Sequence, residues 1–399
     1  MFDFRQVRRV VLAGAVRTPI GKFGGALQSL SAVDLGTAAA IAAVGSAGIS
    51  LDDVDEAIFG HARQAGAGPN PARQVSIGAG VPESSPAFTV NQACASGLKA
   101  VILGAQTVAL GGAEVVLAGG IESMSNTPYL LPEARFGYRM GNSKIVDGMY
   151  RDGFMCPLCG DLMGQTAERL AEIYEIDRKS QDAYATETQR RAQIARGAGY
   201  FEAEIVPVEV TQPNGDPLVV ICDEHPRDDL TVEQMASLPP AFHENGTVHA
   251  GNSSGVTDGG AAVVVMSEDA AERHGVNAMA RVVAVTQAGV DPAIMGIGPV
   301  PAMRELMGSL ALGIADIDLI ELNEAFAVQV LAVDRELQFD HDKLNVNGGA
   351  IALGHPIGCT GTRILVTLLH EMGRRDAKCG VATLCVSGGM GLSLLVERP

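Results

Sequence analysis

Two cysteines and a histidine, each in a glycine-rich setting, are the residues whose types and spacing could do chemistry. Cys94 stands in Asn91-Gln92-Ala93-Cys94-Ala95-Ser96-Gly97, immediately before a stretch of helical periodicity. A sulfur there lies near unpaired amides and the positive end of a helix dipole, which lowers a thiol pKa from its ordinary value of about 8.5. An isolated cysteine is equally at home as a small buried hydrophobe, so its position alone decides nothing. His355 occupies Asn347-Gly348-Gly349-Ala350-Ile351-Ala352-Leu353-Gly354-His355-Pro356-Ile357-Gly358, a loop poor in polar side chains. An imidazole in such a loop can take a proton from a thiol or donate to a carbonyl oxygen, although a turn or capping role is the plain alternative. Cys385 ends an apolar run and enters Val386-Ser387-Gly388-Gly389-Met390-Gly391, whose successive amides can face a neighbouring sulfur and stabilise an oxyanion. Asn323, in Glu321-Leu322-Asn323-Glu324-Ala325-Phe326-Ala327, follows another apolar run and could orient a water for the same purpose.

These residues need a scaffold, and the pattern around them is α/β. Short apolar runs at 10–13, 115–118 and 381–386 alternate with longer stretches of helical periodicity, which predicts buried strands joined by helices. One helix is expected after Cys94, where Leu98, Val101, Ile102 and Ala105 share a face. Another is expected after Thr360, where Ile364, Leu365, Leu368, Leu369 and Met372 do the same. The two ends of the chain echo each other. Gly48-Ile49-Ser50 followed by Asp53-Val54-Asp55-Glu56-Ala57-Ile58 resembles Gly313-Ile314-Ala315-Asp316-Ile317-Asp318-Leu319-Ile320, and each half later has an apolar run ending in paired glycines, Gly119-Gly120 and Gly388-Gly389. Two similar lobes are implied, with gene duplication as their origin. Between them, residues 125–254 carry more charge, most of the tyrosines and many turn formers, and read as an insertion. It is expected to hold one charge-rich helical stretch over 165–196 and a strand over 205–210, and to carry substrate contacts.

The bulk composition narrows the function classes. At 399 residues and 47% hydrophobic, the chain can bury more than one core. A formal charge of −17 argues against a general nucleic-acid or anionic-membrane binder, so an anionic substrate needs a local basic patch. Seven irregularly spaced cysteines read as reduced thiols, which points to the cytoplasm. No apolar run approaches the roughly 18 residues a spanning helix needs, and the apolar run near the start is too short for a signal-peptide core.

The cysteine and histidine motifs, taken in order with several others, resemble the thiolase family over nearly the whole chain. The others are Arg17-Thr18-Pro19-Ile20-Gly21, Gly119-Gly120-Ile121-Glu122-Ser123-Met124, Ala250-Gly251-Asn252-Ser253-Ser254-Gly255 with Asp258-Gly259, and Met295-Gly296-Ile297-Gly298-Pro299. The resemblance implies a thiolase fold: two similar βα lobes packed as an α-β-α-β-α layered core with an inserted loop domain. The lobes would be 1–124 with 255–274, and 275–399, with the insertion at 125–254. It also implies reversible condensation of acyl-CoA units, or thiolysis of 3-ketoacyl-CoA, through an S-acyl cysteine. In that reading Cys94 carries the acyl group, His355 activates it, and Cys385 exchanges a proton with the α-carbon or coenzyme A. A water held by Asn323 joins His355 in one oxyanion pocket, and the backbone N–H groups of Cys94 and Ser387 form a second. Coenzyme A contacts carry over to Arg227, Phe242, Ala250 and Ser254, and an acyl pocket to Leu162, Met163 and Met295. Coenzyme A or acetyl-CoA is a substrate, no permanent cofactor or metal is expected, and a homodimer or homotetramer is.

Two positions depart from the short-chain pattern. Ser387 stands where the family usually has glycine, which questions the backbone angle there, since serine tolerates positive φ less well. Leu162 replaces the histidine that short-chain biosynthetic members carry before Met163-Gly164, leaving room for a longer-chain degradative activity. Cys156-Pro157-Leu158-Cys159 has zinc or redox spacing but no second pair, and reads as an insertion loop over the acyl site. Ketoacyl synthases pair one cysteine with two histidines and do not need Cys385. A non-catalytic acyl-CoA-binding subunit would require a disturbed site.

Overall fold

Runs of valine, alanine and leucine with no polar interruption are buried on both faces, the condition for a strand covered by helices. The computed structural model, which describes residues 1–212 and 215–399, places them so. The first part of the chain forms β1 (Val10–Arg17), α1 (Ala32–Ala47), β2 (Glu56–His61), α2 (Pro71–Ala79), β3 (Ala87–Val90), α3 (Ser96–Ala109) and β4 (Val115–Ser123). Helices α4 (Met163–Ile173) and α5 (Arg178–Gly197) lie in the insertion. Strands β5 (Thr257–Ser267) and β6 (Ala280–Gly289), helix α6 (Pro299–Leu310), β7 (Leu319–Leu322), α7 (Ala327–Leu337), α8 (Ala350–Leu353), α9 (Ile357–Arg375), β8 (Cys379–Val386) and β9 (Met390–Glu397) complete the chain.

The strand order is β7-β8-β9-β6-β1-β5-β4-β2-β3. Strands β6 and β1 touch only through Ala280 with Leu12 and Arg281 with Val11, so the sheet is two half-sheets joined at a narrow seam. Read outward from that seam the halves match: β1 and β6 each pair antiparallel with the last strand of their half, which pairs antiparallel with a strand that is itself in a parallel pair. Helices α1 and α2 cover the outer face of one half and α6 that of the other, while α3 and α9 pack on each other and on strands of both halves. The result is an α-β-α-β-α stack. Its middle layer explains why α9 buries residues all round its length, including the expected Ile364, Leu365, Leu368, Leu369 and Met372.

The structure corrects two expectations in the insertion and one in the C-terminal lobe. Residues 165–196 are not one helix: Glu175 turns left-handed at φ 47° and Asp177 caps α5 by accepting the Ser180 N–H, so the chain breaks between α4 and α5. Only Val208–Val210 of the 205–210 run forms a strand, paired with Leu218–Val220, while Ile205 bridges to Arg17. The loop before His355 contains α8, and α9 begins before Thr360, at Ile357. The insertion is tied to the core by a buried charge network. Arg17 Nε donates to Glu204 at 2.7 Å and Arg17 Nη1 to Asp223 at 2.7 Å, so the Arg17-Thr18-Pro19 motif is an anchor for the inserted segment. Among the described residues no helix is long and apolar enough to cross a membrane.

Candidate active site

The site forms where the N-termini of α3 and α9 meet at the ends of the strands. Two glycines permit that approach. A Cβ on Gly60 would lie 2.2 Å from the Ser96 carbonyl carbon, and one on Gly358 would lie 2.4 Å from the Ile121 carbonyl oxygen. No side chain fits at either place without moving backbone, so the glycine-rich motifs let Cys94 and His355 share one cavity.

Cys94 sits in the tight turn Ala93–Ala95 just ahead of α3. Ala93 is left-handed at φ 46°, an uncommon angle for a residue with a side chain, and the turn is pinned by Ser96 Oγ, which accepts the Gln92 N–H at 2.9 Å and donates to the Ala93 carbonyl at 2.7 Å. The helix-start argument predicts a lowered thiol pKa, and this needs correction. Burial pushes the Cys94 thiol up, against the opposing pull of the Ser387 N–H, the Arg63 guanidinium and the cysteine's own N–H. Desolvation of a thiolate outweighs a few amides here, so Cys94 rests as a thiol.

His355 is the group that can deprotonate it. Burial, with help from the positive charges of Arg363 and Arg63, pushes its pKa down to about 3, so the ring is neutral. Which nitrogen carries the proton follows from its neighbours. Thr360 Oγ1 lies 2.9 Å from the Pro356 carbonyl, which can only accept, and 2.6 Å from His355 Nδ1; with its single proton on the carbonyl it accepts from the ring. In that arrangement Nδ1 holds the hydrogen and Nε2 presents a bare lone pair. Asn323 Nδ2 approaches Nε2 at 3.5 Å, and Asn323 Oδ1 has no partner among the described residues.

Cys385 is fully buried near Cys94, and its thiol is pushed well up, first by burial and then by the neighbouring sulfur. Cys94, His355 and Ser387 line the cavity, and Cys385 and Asn323 are not part of its lining. The hairpin between β8 and β9 places the positive φ values on Gly388 (88°) and Gly389 (83°), and Ser387 is not among the residues at positive φ. The serine substitution therefore strains nothing, and its backbone N–H favours the Cys94 thiolate.

The cavity holds roughly 270 Å³ and is predominantly apolar. Leu162, Met163 and Met295 line it, as do Phe242, Ala250 and Ser254. Phe242 packs edge-to-face on Phe326 with centroids 6.4 Å apart. Arg227 is exposed and outside this lining; its backbone N–H donates to Gln189. Cys156 is buried and Cys159 half-buried, in a turn closed by Gly160 N–H to the Cys156 carbonyl at 2.9 Å, and no cluster of metal-ligating side chains is present among the described residues. Two residues of the site carry no sequence signal. Thr360 is identified only by its contact with His355, and Arg63, buried in the cavity wall, only by where β2 delivers it.

Comparison with known proteins agrees with this geometry. A model of the thiolase N-terminal domain matches residues 10–269, and one of the thiolase C-terminal domain matches residues 276–398. The acetyl-CoA acetyltransferase of Thiocystis violacea is 51% identical over 389 residues, covering 98% of this chain and 99% of that protein. The crystal structure of the Bacillus anthracis acetyl-CoA acetyltransferase superimposes with a TM-score of 0.96 at 44% identity, covering 98% of this chain and 99% of the other. Human mitochondrial 3-ketoacyl-CoA thiolase in complex with CoA superimposes with a TM-score of 0.94 at 42% identity, covering 98% of each. The chain therefore belongs to the thiolase family and is an acyltransferase.

Proposed function

We propose that the chain catalyses reversible Claisen condensation of two acetyl-CoA, and thiolysis of the 3-ketoacyl-CoA product, through an acyl group carried on Cys94. The observation that carries this reading is the convergence of three residues in the wall of one apolar cavity: Cys94 with its thiol, the neutral His355, and Ser387, whose backbone N–H favours the Cys94 thiolate. His355 Nε2 takes the Cys94 proton as the sulfur attacks the thioester carbon, and returns it to the departing coenzyme A thiolate. The N–H groups of Cys94 and Ser387 hold the oxyanion of that step. In the second step Cys385 takes the α-proton of the second acyl-CoA. The proton Cys385 gives up passes through His355 to the Cys94 sulfur, which leaves as the carbon–carbon bond forms. His355 and a water on Asn323 stabilise the enolate.

Coenzyme A would run past Phe242, Ala250 and Ser254, with Arg227 outside the cavity serving its phosphates. Leu162, Met163 and Met295 would shape the acyl end. A cavity of roughly 270 Å³, near the small end of ligand sites, supports short acyl chains. Leu162 supports the second reading, a longer-chain degradative thiolase, since an apolar side chain there costs a longer acyl tail nothing. The matching strand order on either side of the β1/β6 seam supports two duplicated lobes, 1–124 with 255–274 and 275–399, around the insertion 125–254. Free cysteines throughout support a reducing, cytoplasmic setting, and the resemblance supports a homo-oligomer.

Incubation with acetyl-CoA followed by intact-mass measurement should show a single acetyl adduct on Cys94. Cys94→Ser should abolish the adduct, and Cys385→Ala should keep it while losing acetoacetyl-CoA thiolysis. Full thiolysis by the Cys385 variant would overturn the second step. A chain-length series of 3-ketoacyl-CoA substrates decides between the short-chain and long-chain readings.

A further inference from the structure

Arg63 is 6% exposed and stands in the wall of the cavity that holds Cys94. Its Nε and Nη2 have no hydrogen-bond partner among the described residues. The acids around it are engaged elsewhere. Glu122 accepts the backbone N–H groups of Arg63 at 3.2 Å and Gly358 at 3.0 Å, and faces His61 Nε2 at 3.1 Å; Asp152 pairs with Arg151 at 3.6 Å. One side of the guanidinium is covered by Phe154, 5.8 Å from the ring centroid, and by the bare backbone of Gly153, where a Cβ would lie 2.0 Å from Nη2. The site is thus shaped around a planar cation whose side chain forms no ion pair among the described residues.

A buried guanidinium without an anion is destabilising, and a fold that keeps one beside a substrate cavity has a reason in the substrate. Arginine in particular matches a carboxylate, whose two oxygens fit its fork of N–H groups. We propose that Arg63 receives a carboxylate at the far end of the acyl chain, so that this thiolase accepts acyl thioesters derived from dicarboxylic acids. The inference rests on the acyl-transfer reading of Cys94 given above. It also supplies the local cation that an anionic acyl group needs in a protein of net charge −17.

The test compares thiolysis of 3-oxoadipyl-CoA and 3-oxohexanoyl-CoA, which have the same number of acyl carbons and differ at the end in carboxylate against methyl. The ratio of their kcat/KM values should favour the diacid by at least about tenfold, and Arg63→Met should lower that ratio by at least about tenfold. A preference for the monoacid, or a variant that slows both substrates equally, overturns the proposal. The second pattern is what a contact with coenzyme A phosphates or with the reacting carbonyl would give. The melting temperature is a second readout. Removing an uncompensated buried charge should leave it unchanged or raised, whereas a fall of several degrees means the guanidinium has a partner within the protein, which also overturns the proposal. Cleavage of acetoacetyl-CoA without cleavage of 3-oxoadipyl-CoA refutes this inference alone. Failure with acetoacetyl-CoA, and no acyl adduct on Cys94, would refute the acyl-transfer reading and this one with it.

Discussion

Replacing Thr360 by valine tests the assignment of the proton on His355. Thr360 is fully buried, and among the described residues its hydroxyl is the only partner of His355 Nδ1. Valine keeps the branched shape and removes the acceptor. The Nδ1–H is then buried without a partner, a loss of about 1–3 kcal/mol that the imidazole escapes by moving its hydrogen to Nε2. Each 1.4 kcal/mol of that preference lowers the fraction of rings with a bare Nε2 about tenfold. Acetylation of Cys94 by acetyl-CoA, followed in a stopped-flow mass or thiol-release assay, should therefore slow by about ten- to a hundredfold. Thr360→Ser restores the hydroxyl and should recover most of the rate. A Thr360→Val protein that melts lower yet acylates at the wild-type rate would refute the argument, because the hydroxyl would then support packing and not the tautomer. So would 15N chemical shifts showing the hydrogen on Nε2 in the unaltered protein.

Three further outcomes follow from the same geometry. His355 has a folded pKa of about 3 against an ordinary 6.5, so between those values the unfolded chain binds the extra proton and stability rises with pH. Its contribution, up to about 5 kcal/mol, is complete above pH 6.5 and is lost as pH falls toward 3. Urea midpoints of His355→Asn should fall less steeply with acid than those of the unaltered protein, and parallel slopes would mean the ring is not held neutral. With burial holding Cys94 protonated, iodoacetamide should alkylate it rapidly at pH 7 only through His355. In His355→Ala the rate should drop by about ten- to a hundredfold and recover with a midpoint above that of an ordinary thiol. Gly60→Ala places a Cβ 2.2 Å from the Ser96 carbonyl carbon, so α3 must shift; about 3 kcal/mol of stability and most Cys94 acylation should be lost together. A stable, active Gly60→Ala would mean that the two helix N-termini do not need that approach.

What was legible in the sequence was whatever depends on local pattern. Residues 10–13, 115–118 and 381–386 read as strands because each is short and largely apolar, and they lie in β1, β4 and β8. The glycines of the Cys94 and His355 motifs stand where backbones nearly touch, so their spacing recorded a close approach before any coordinates did. What depends on three-dimensional surroundings was not legible. The start of α3 is visible at Ser96, but the desolvation that reverses the expected shift at Cys94 comes from elements brought over it by the fold. The break between α4 and α5 hides in Tyr174-Glu175-Ile176-Asp177, which contains neither glycine nor proline; one left-handed glutamate makes the turn. Arg17, Glu204 and Asp223 form one buried network from positions about two hundred residues apart, and Arg63 reads as an ordinary polar residue after a strand until its burial is seen.

The shared burial of the two thiols and the imidazole has a consequence for the order of events. Desolvation opposes every charged form, so it raises both cysteines and lowers the histidine at once, and the resting site holds two thiols and one neutral ring. The ring has one bare nitrogen, Nε2, since Nδ1 is committed to Thr360. Two thiols cannot both discharge onto one acceptor, so in the proposed cycle Cys94 and Cys385 must use it in turn. Cys94 uses it first, because its thiolate is met by the Ser387 N–H and the Arg63 charge, while Cys385 has only its own N–H against complete burial and a neighbouring sulfur. Acylation then fixes the Cys94 sulfur as a neutral thioester with no proton left to discharge. The covalent intermediate thereby leaves the ring free for the second deprotonation, and the division of labour between the cysteines follows from their surroundings, with no chemical difference between the side chains required.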